Sequence, residues 1–180
     1  MSQKYIYKAF GLNWESKNLA LSELLKGEEE NLKVDVKIKD ENPNLWPQIN
    51  SNELETPFLK FLNNEIRLKI NGIVNFRITN GNEISFNQEN NNIKSNDIKT
   101  FLLGSVFGAI LIQRGLLVLH GNALEKNGEA IICLGHTGAG KSTLAYALVK
   151  KGWKLLSDDL VVVSDDFLVL PGIPRIKLWQ

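Results

Sequence analysis

The first half of the chain alternates apolar and polar residues with a period of two. In the segments EIRLKI, IVNFRI and EISF, between residues 65 and 86, apolar side chains fall at every second position. Asn71-Gly72 separates the first two segments and Asn80-Gly81 precedes the third, and this dipeptide readily supplies the positive φ angles of a tight hairpin. The pattern therefore predicts an antiparallel β-meander.

Further elements are predicted before the meander. Residues 5–10 and 32–38 are expected to form strands, and the Leu-rich segment from Leu19 to Leu25 is expected to form a short helix. The meander carries no cluster of His, Cys or acidic residues. We therefore expect this β-rich N-terminal part to be a scaffold or to recognise a substrate.

The pattern changes near residue 96, where helices and strands begin to alternate. A helix is predicted from residues 95–97 to about Arg114, and Gly115 suits the left-handed position that ends a helix. Two strands, a helix over residues 141–150 and a strand through KLLSDDLVVV are predicted after it. We expect two domains, 1–96 and 97–180, the second being an α/β layer with at least partly parallel strands.

Composition narrows the range of partners. The chain has 180 residues with 43% hydrophobic residues, and 21 Lys and Arg oppose 20 Asp and Glu, so no basic surplus favours nucleic acid. The single cysteine, Cys133, cannot form an intramolecular disulfide, which fits a reducing, cytoplasmic location. The first residues do not resemble a signal peptide, and the longest apolar run, residues 101–112, is too short to span a bilayer. We expect no membrane association.

A phosphate-binding loop is the clearest motif. Residues 135–142 read GHTGAGKS and satisfy G-x-x-x-x-G-K-[ST], between an apolar strand and an amphipathic helix. The glycines let backbone N–H groups surround a phosphate, Lys141 can reach the outer phosphates, and Ser142 Oγ can coordinate Mg²⁺. The motif predicts ATP and Mg²⁺ as cofactors, and its context disfavours the alternative of a glycine-rich turn that only joins strand to helix. The residues expected to bind the nucleotide are Gly135, Gly138, Ala139, Gly140, Lys141, Ser142 and Thr143.

An acidic pair follows the predicted phosphate-loop helix. Asp158 and Asp159 lie where the chain returns to the sheet, so one carboxylate can hold Mg²⁺ and the other can accept a proton from an attacking hydroxyl. An exposed turn is the alternative, and it suits Asp165-Asp166 better. His120 ends the run LLVLH and, taken alone, is more typical of a buried structural histidine.

Taken in order, these motifs resemble those of a known enzyme family. Over roughly residues 116–163, a His-Gly pair, a short hairpin, the phosphate loop, a helix and a strand ending in Asp-Asp resemble the catalytic domain of HPr kinase/phosphorylase. A similar arrangement occurs in HPr-kinase-like enzymes that phosphorylate lasso-peptide precursors, and more distantly in ATP-dependent phosphoenolpyruvate carboxykinase. The segments FGLNWES and LPGIPRIKLW look more like the uncharacterised HPr-kinase-like branch.

The resemblance implies a P-loop kinase domain of the HPr kinase/phosphoenolpyruvate carboxykinase type, preceded by a smaller β-rich part. It implies transfer of the ATP γ-phosphate to a Ser or Thr hydroxyl of a protein or peptide, which the N-terminal part would present. In this comparison Asp158 is the proton acceptor, His120 orients it, Lys141 binds phosphate and Asp159 holds the metal with Ser142. The two aspartates can also exchange these roles.

The chain departs from the family after the acidic pair. The family continues well beyond it and contributes another acidic metal ligand and an Arg- and Gly-rich signature, whereas no carboxylate follows Asp166 here. We therefore expect either a truncated chain or a homo-oligomer whose partner subunits complete the site. The alternative function is a nucleotide-binding module, or a degenerate kinase, without transfer chemistry. An ABC-type ATPase is disfavoured because no LSGGQ-like signature is present.

Overall fold

The chain folds into two compact units. The computed structural model describes residues 3–27, 33–47, 59–62 and 64–175. The first unit comprises residues 1–7, 12–21 and 26–115, and the second comprises residues 8–11, 22–25 and 116–180. The mixed α/β class predicted from the sequence is confirmed.

A sheet of eight strands forms most of the first unit, in the order β3-β1-β2-β4-β8-β7-β6-β5. Its strands are β1 (Lys4–Ala9), β2 (Leu12–Lys17), β3 (Leu25–Lys26), β4 (Val36–Asp40), β5 (Leu59–Leu62), β6 (Glu65–Ile70), β7 (Val74–Thr79) and β8 (Glu83–Gln88). The predicted meander is confirmed, because β6, β7 and β8 pair antiparallel. Its apolar face is buried, with Phe76 and Ile84 fully inaccessible. Two pairs in this sheet, β2 with β4 and β4 with β8, are parallel.

The helix predicted at Leu19–Leu25 is wrong. The segment forms turns and then the short strand β3. Its backbone groups form hydrogen bonds with side chains rather than with each other as in a helix. The Leu21 N–H donates to the Tyr7 hydroxyl (2.8 Å), and the Ser16 hydroxyl donates to the Leu19 carbonyl (2.7 Å). Leu19, Leu21 and Leu24 are buried all the same, whereas Leu25 is exposed, so the spacing of the first three reflected a core rather than a helix.

The first unit also contains a long helix. It comprises α1 (Ser95–Phe101), a π-helical segment (Leu102–Val106) and α2 (Phe107–Gln113), and it ends before Gly115, whose φ is +77° as predicted. The Phe107 ring stacks on Trp14 of β2, with centroids 4.0 Å apart. By length and composition this helix could cross a membrane, but the apolar side chains on one of its sides, including Ile98, Val106 and Phe107, are buried within the protein.

The end of this helix is tied to the meander. Arg114 Nη1 donates to the Gly81 carbonyl (2.8 Å), and the Gly81 N–H donates to Gln113 Oε1 (3.0 Å). The helix thus belongs to the first compact unit, whereas the sequence pattern assigned it to the second domain. The functional division into 1–96 and 97–180 stays a prediction.

The second unit is built around β9 (Leu117–Lys126). Its other elements are β10 (Glu129–Leu134), α3 (Lys141–Lys150), β11 (Lys154–Ser157), β12 (Leu160–Val163) and β13 (Val169–Leu170). β10, β11 and β12 all pair antiparallel with β9, and β12 pairs antiparallel with β13. The predicted parallel pairing in this part of the chain is therefore wrong among the described strands. β10 and β11 do run in the same direction, but β9 lies between them.

Candidate functional site

The phosphate loop has the backbone that its sequence requires. Gly138 and Gly140 have φ angles of +83° and +85°, a region that side-chain-bearing residues rarely adopt. Helix α3 begins at Lys141, directly after Gly140, and no side chain caps its first turn. Since the first N–H groups of a helix have no partner within it, they are free to bind an anion.

Lys141 is folded onto the loop itself. Its Nζ donates to the Gly135 carbonyl (2.8 Å) and to the His136 carbonyl (3.1 Å). The ammonium group is therefore held at the loop by neutral acceptors. A phosphate oxygen, which is charged, is a stronger acceptor than a carbonyl and can displace them.

The register of the sheet aligns the loop with the acidic pair. Leu134, the last residue of β10, pairs with Gly121 of β9, and Ser157, the last residue of β11, pairs with Ala123. The strands that lead into the phosphate loop and into Asp158-Asp159 therefore end within two residues of each other along β9, one on either side of it, while β9 continues and pairs with β12. Helix α3 packs against β9, β10 and β11.

Three consecutive residues of β9 bind the acidic pair. His120 Nδ1 lies 3.0 Å from the Asp159 carbonyl, the Gly121 N–H donates to the same carbonyl (3.3 Å), and Asn122 Nδ2 donates to Asp158 Oδ1 (2.6 Å). We call residues 120–122 the His-Gly-Asn triplet. Gly121 is required for close approach to β10, because a Cβ atom there would lie 2.5 Å from the Cys133 carbonyl oxygen.

The two aspartates have different environments. Asp158 is 5% exposed, and its Oδ1 also accepts the Asp159 N–H (3.0 Å). Asp159 has a φ of +65°, in the left-handed region where Asp and Asn are better tolerated than most residues. This bend interrupts the long strand that the sequence predicted, so that β11 and β12 are separated at the acidic pair.

The hydrogen bond of His120 to the acidic pair is not to the residue that was expected. The resemblance placed it beside Asp158, whereas its hydrogen bond is to the Asp159 backbone. Because a carbonyl only accepts, Nδ1 carries the proton, and in the neutral ring Nε2 is then an acceptor. His120 is exposed on the strand, which leaves the imidazole accessible to other groups.

The backbone behind the acidic pair is held by residues from both ends of the chain. The Asp158 N–H donates to the Ile173 carbonyl (3.0 Å), and the Ile173 N–H donates to Ser157 Oγ (3.1 Å). The Phe10 N–H donates to the Pro171 carbonyl (2.7 Å). Phe10, the first residue of FGLNWES, and the LPGIPR segment, both of which the resemblance singled out, thus meet within the second unit.

Two residues of this site were missed by the sequence analysis. Asn122 could have been noticed as the one amide in the predicted strand LLVLHGNALE, directly before Ala123 and Leu124, which are fully buried in the structure. Ser157 precedes the acidic pair and is itself fully buried, but a lone serine carries no such signal. Cys133 is the register partner of Asn122, and burial raises the pKa of its thiol, which keeps it protonated.

The acidic pair does not belong to a larger cluster of metal-ligating side chains among the described residues. Among the described residues, no group of three or more His, Cys, Asp or Glu side chains is arranged to hold a metal ion. Mg²⁺ in nucleotide sites commonly takes one or two carboxylates together with substrate phosphates and water. Ser142 and Asp159 are of the right chemical type for such a shared site.

Part of the chain is similar to HPr kinase/phosphorylase from several bacteria. The protein of Lachnoclostridium phytofermentans is 44% identical over 62 residues, which cover 32% of this chain and 20% of that relative. The protein of Lactobacillus johnsonii is 40% identical over 60 residues, covering 32% and 19%. That of Lactobacillus delbrueckii subsp. bulgaricus is 34% identical over 85 residues, covering 46% and 27%.

This similarity covers a small part of each relative. The matched stretches span only about a fifth to a quarter of these relatives' length. No protein-family model and no solved structure matches the chain. The similarity to HPr kinase/phosphorylase is therefore partial, and it extends over about a third of this chain.

Proposed function

We propose that this protein is an ATP-dependent kinase of the HPr kinase/phosphorylase type that phosphorylates a Ser or Thr hydroxyl of a protein or peptide. The main support is the register around β9. The strand that leads into the complete phosphate loop and the strand that leads into the carboxylate pair end beside residues 121–123 of β9, on either side of it. Phosphoryl transfer needs these two parts together: a cradle for the phosphates and a carboxylate for the acceptor.

The loop suits a nucleoside triphosphate. Gly138 and Gly140 have positive φ angles, and a Cβ atom at either position would meet no neighbour within 4 Å, so their requirement is conformational. The uncapped start of α3 and Lys141 add positive charge where phosphates would lie. We assign nucleotide binding to Gly135, Gly138, Ala139, Gly140, Lys141, Ser142 and Thr143.

In the proposed reaction each residue has a separate task. When bound, ATP supplies the γ-phosphoryl group, and Mg²⁺ offsets the negative charge of its phosphates. Asp158 accepts the proton of the acceptor hydroxyl, and Lys141 stabilises charge on the phosphates. Ser142 and Asp159 hold the metal. His120 binds the Asp159 backbone and so positions the acidic pair.

The second candidate is a nucleotide-binding module without transfer chemistry. The observation that favours it is the small number of candidate metal ligands, since the described residues supply no third carboxylate near the acidic pair. A kinase and a binding module differ in one respect that can be measured. Both bind ATP, but only the kinase labels an acceptor.

The deciding experiment combines binding with transfer. The protein is incubated with γ-labelled ATP, Mg²⁺ and either purified HPr, the substrate in its relatives' name, or lysate from its source. Labelled proteins are identified by mass spectrometry, and Lys141→Ala is the negative control. Labelling that requires Lys141 supports the kinase. ATP binding with no labelled acceptor in either mixture supports the binding module, and absence of ATP binding contradicts both.

The remaining expectations about this protein stay proposals. We propose a cytoplasmic location and a protein or peptide as partner, with no role for nucleic acid or a membrane. Self-association into a homo-oligomer, in which a partner subunit completes the metal site, also stays a proposal. So does the specific relation to the enzymes that phosphorylate lasso-peptide precursors.

A further inference from the structure

Asn122 has an unusual position for an amide. It is 1% exposed and lies in β9, where the next residues, Ala123 and Leu124, are fully buried. A buried polar side chain costs free energy unless it is hydrogen-bonded, and Asn also fits strands less well than apolar residues. Packing alone would therefore favour an apolar residue at this position.

The hydrogen bond of Asn122 is to the candidate proton acceptor. Its Nδ2 lies 2.6 Å from Asp158 Oδ1, which is short for a bond from an amide. The Asp159 N–H donates to the same oxygen (3.0 Å). The Asn122 amide and the Asp159 backbone N–H thus donate to the same carboxylate oxygen. Together these two hydrogen bonds fix the rotation of the Asp158 carboxylate.

We infer that Asn122 is a positioning residue, which holds the Asp158 carboxylate in the orientation needed to accept the proton of the acceptor hydroxyl. This inference rests on the proposed function. An amide suits the task because it donates a hydrogen bond without being able to lose its proton to the carboxylate. It is also anchored by β9, whose adjacent residues His120 and Gly121 hold the backbone of the acidic pair.

The alternative is that Asn122 only stabilises the fold. The two roles predict different kinetics. A positioning residue acts through Asp158, so its loss lowers kcat while leaving the KM for ATP nearly unchanged. A residue that only stabilises the fold lowers the free energy of unfolding without changing the turnover of the folded enzyme.

The test is a double-mutant cycle between Asn122→Val and Asp158→Asn. Val suits a strand and has no donor. Single-turnover rates are measured with γ-labelled ATP, Mg²⁺ and HPr, or with water as the acceptor if HPr is not labelled. Asn122→Val should lower the rate about 10²-fold in the wild-type background, the scale expected when a reacting group is misplaced. It should lower the rate less than about threefold when Asp158 is already Asn, because residues that act through each other are not additive.

A matched control and a second variant keep the test decisive. Thr79→Val removes another buried polar group, in β7, and should lower stability without changing the rate. If Asn122→Val does not fold, Asn122→Ser, whose hydroxyl is too short to reach Asp158, takes its place.

The outcomes separate this inference from the proposed function. An unchanged rate in the Asn122 variant, or an equal loss in both backgrounds, overturns the role of Asn122 while the kinase stands. A wild-type protein that binds ATP but transfers phosphate neither to HPr, nor to any protein of the lysate, nor to water overturns the kinase, and the role of Asn122 with it.

Discussion

Gly172 lies against Ser157 so closely that a Cβ atom on residue 172 would overlap the Ser157 hydroxyl oxygen. The same Cβ would also overlap the ring of Phe10. Ser157 is the last residue before the acidic pair, and its Oγ binds both the Ile173 N–H and the Leu160 carbonyl. The contact therefore ties the LPGIPR segment to the backbone that carries Asp158.

Gly172→Ala should destabilise the second unit. The neighbours are a serine in a hydrogen-bond network and a fully buried ring, so neither can move freely, and overpacking of this kind costs about 1–3 kcal/mol. Urea unfolding of the variant measures the loss. The control is Gly104→Ala in the long helix, where a Cβ atom would meet nothing within 4 Å. That substitution should raise stability by about 0.5–1 kcal/mol, and a Gly172→Ala variant as stable as the wild type would contradict the packing described here.

Lys141→Ala should remove most of the stabilisation that Mg²⁺-ATP gives to the folded protein. A ligand that binds only the native state stabilises it by about 2.7 kcal/mol at one hundred times its Kd. Lys141 contacts only loop carbonyls in the bonds described, so its loss should weaken the phosphate contacts while leaving α3 intact. Thermal unfolding with and without Mg²⁺-ATP provides the measurement.

The control for this experiment is Lys150→Ala at the other end of the same helix. Lys150 lies over the Tyr146 ring, 4.6 Å from its centroid, and should have no part in nucleotide binding. Its variant should therefore keep the full shift in melting temperature. A wild-type protein whose melting curve does not change at millimolar Mg²⁺-ATP would rule out the phosphate-loop assignment.

Asn substitutions should separate the roles of the two aspartates. Asp158→Asn keeps the size of the side chain and removes the proposed proton acceptor, so transfer should fall by about 10² to 10⁴-fold with little change in ATP affinity. Asp159→Asn should weaken binding of Mg²⁺-ATP together with the rate. Asn is the right replacement at 159 because it tolerates the positive φ of +65°, where Ala would add backbone strain.

Comparison of the two variants tests the assignment directly. Affinity is measured by titration calorimetry and transfer by labelling with γ-labelled ATP. If Asp158→Asn weakens Mg²⁺-ATP binding and Asp159→Asn spares it, the roles are exchanged. Undiminished labelling in both variants would exclude the acidic pair from the reaction.

The sequence predicted the elements that depend on local chemistry. Three such elements depend on backbone conformations that few other residues accept. They are the Asn80-Gly81 turn, the end of the long helix at Gly115 and the start of α3 after the phosphate loop. Strand neighbours were not predictable in the same way. The antiparallel position of β9 between β10 and β11 depends on contacts across the sheet that no short segment encodes.

The site shows the same division. Glycine spacing predicted a phosphate loop and adjacency predicted a role for Asp158-Asp159, and both assignments stay predictions. The bond from Asn122 to Asp158 joins residues 36 positions apart, and the Phe10 bond to Pro171 joins the two ends of the chain. Such contacts arise only when the sheet is assembled, so a sequence pattern can indicate the residues but not their pairing.

The last prediction concerns the acid stability of the first unit, where Glu65 lies between two arginines. Burial alone would raise the pKa of Glu65, but its hydrogen bonds and charge interactions with Arg77 and Arg67 outweigh burial and hold the pKa below its usual value of 4.5. The Glu65 side chain is 12% exposed, and its Oε2 lies 2.8 Å from Arg77 Nη2, so the pair is only partly screened by solvent.

A carboxyl group whose pKa is lower in the folded state stabilises the protein at pH values above its unfolded pKa, and this stabilisation is lost as the pH falls through the folded pKa. Glu65→Gln should therefore lower the free energy of unfolding by about 1–3 kcal/mol near neutral pH, since hydrogen bonds to charged groups are lost. The difference from the wild type should shrink as the pH falls below about 4.5. Urea unfolding at several pH values measures it. Glu83→Gln is the control, because Glu83 is more exposed and its ion pair with Lys39 should be worth about 0–1 kcal/mol. A gap between Glu65→Gln and the wild type that is as large in acid as at neutral pH would show that the arginines do not stabilise the ionised carboxylate.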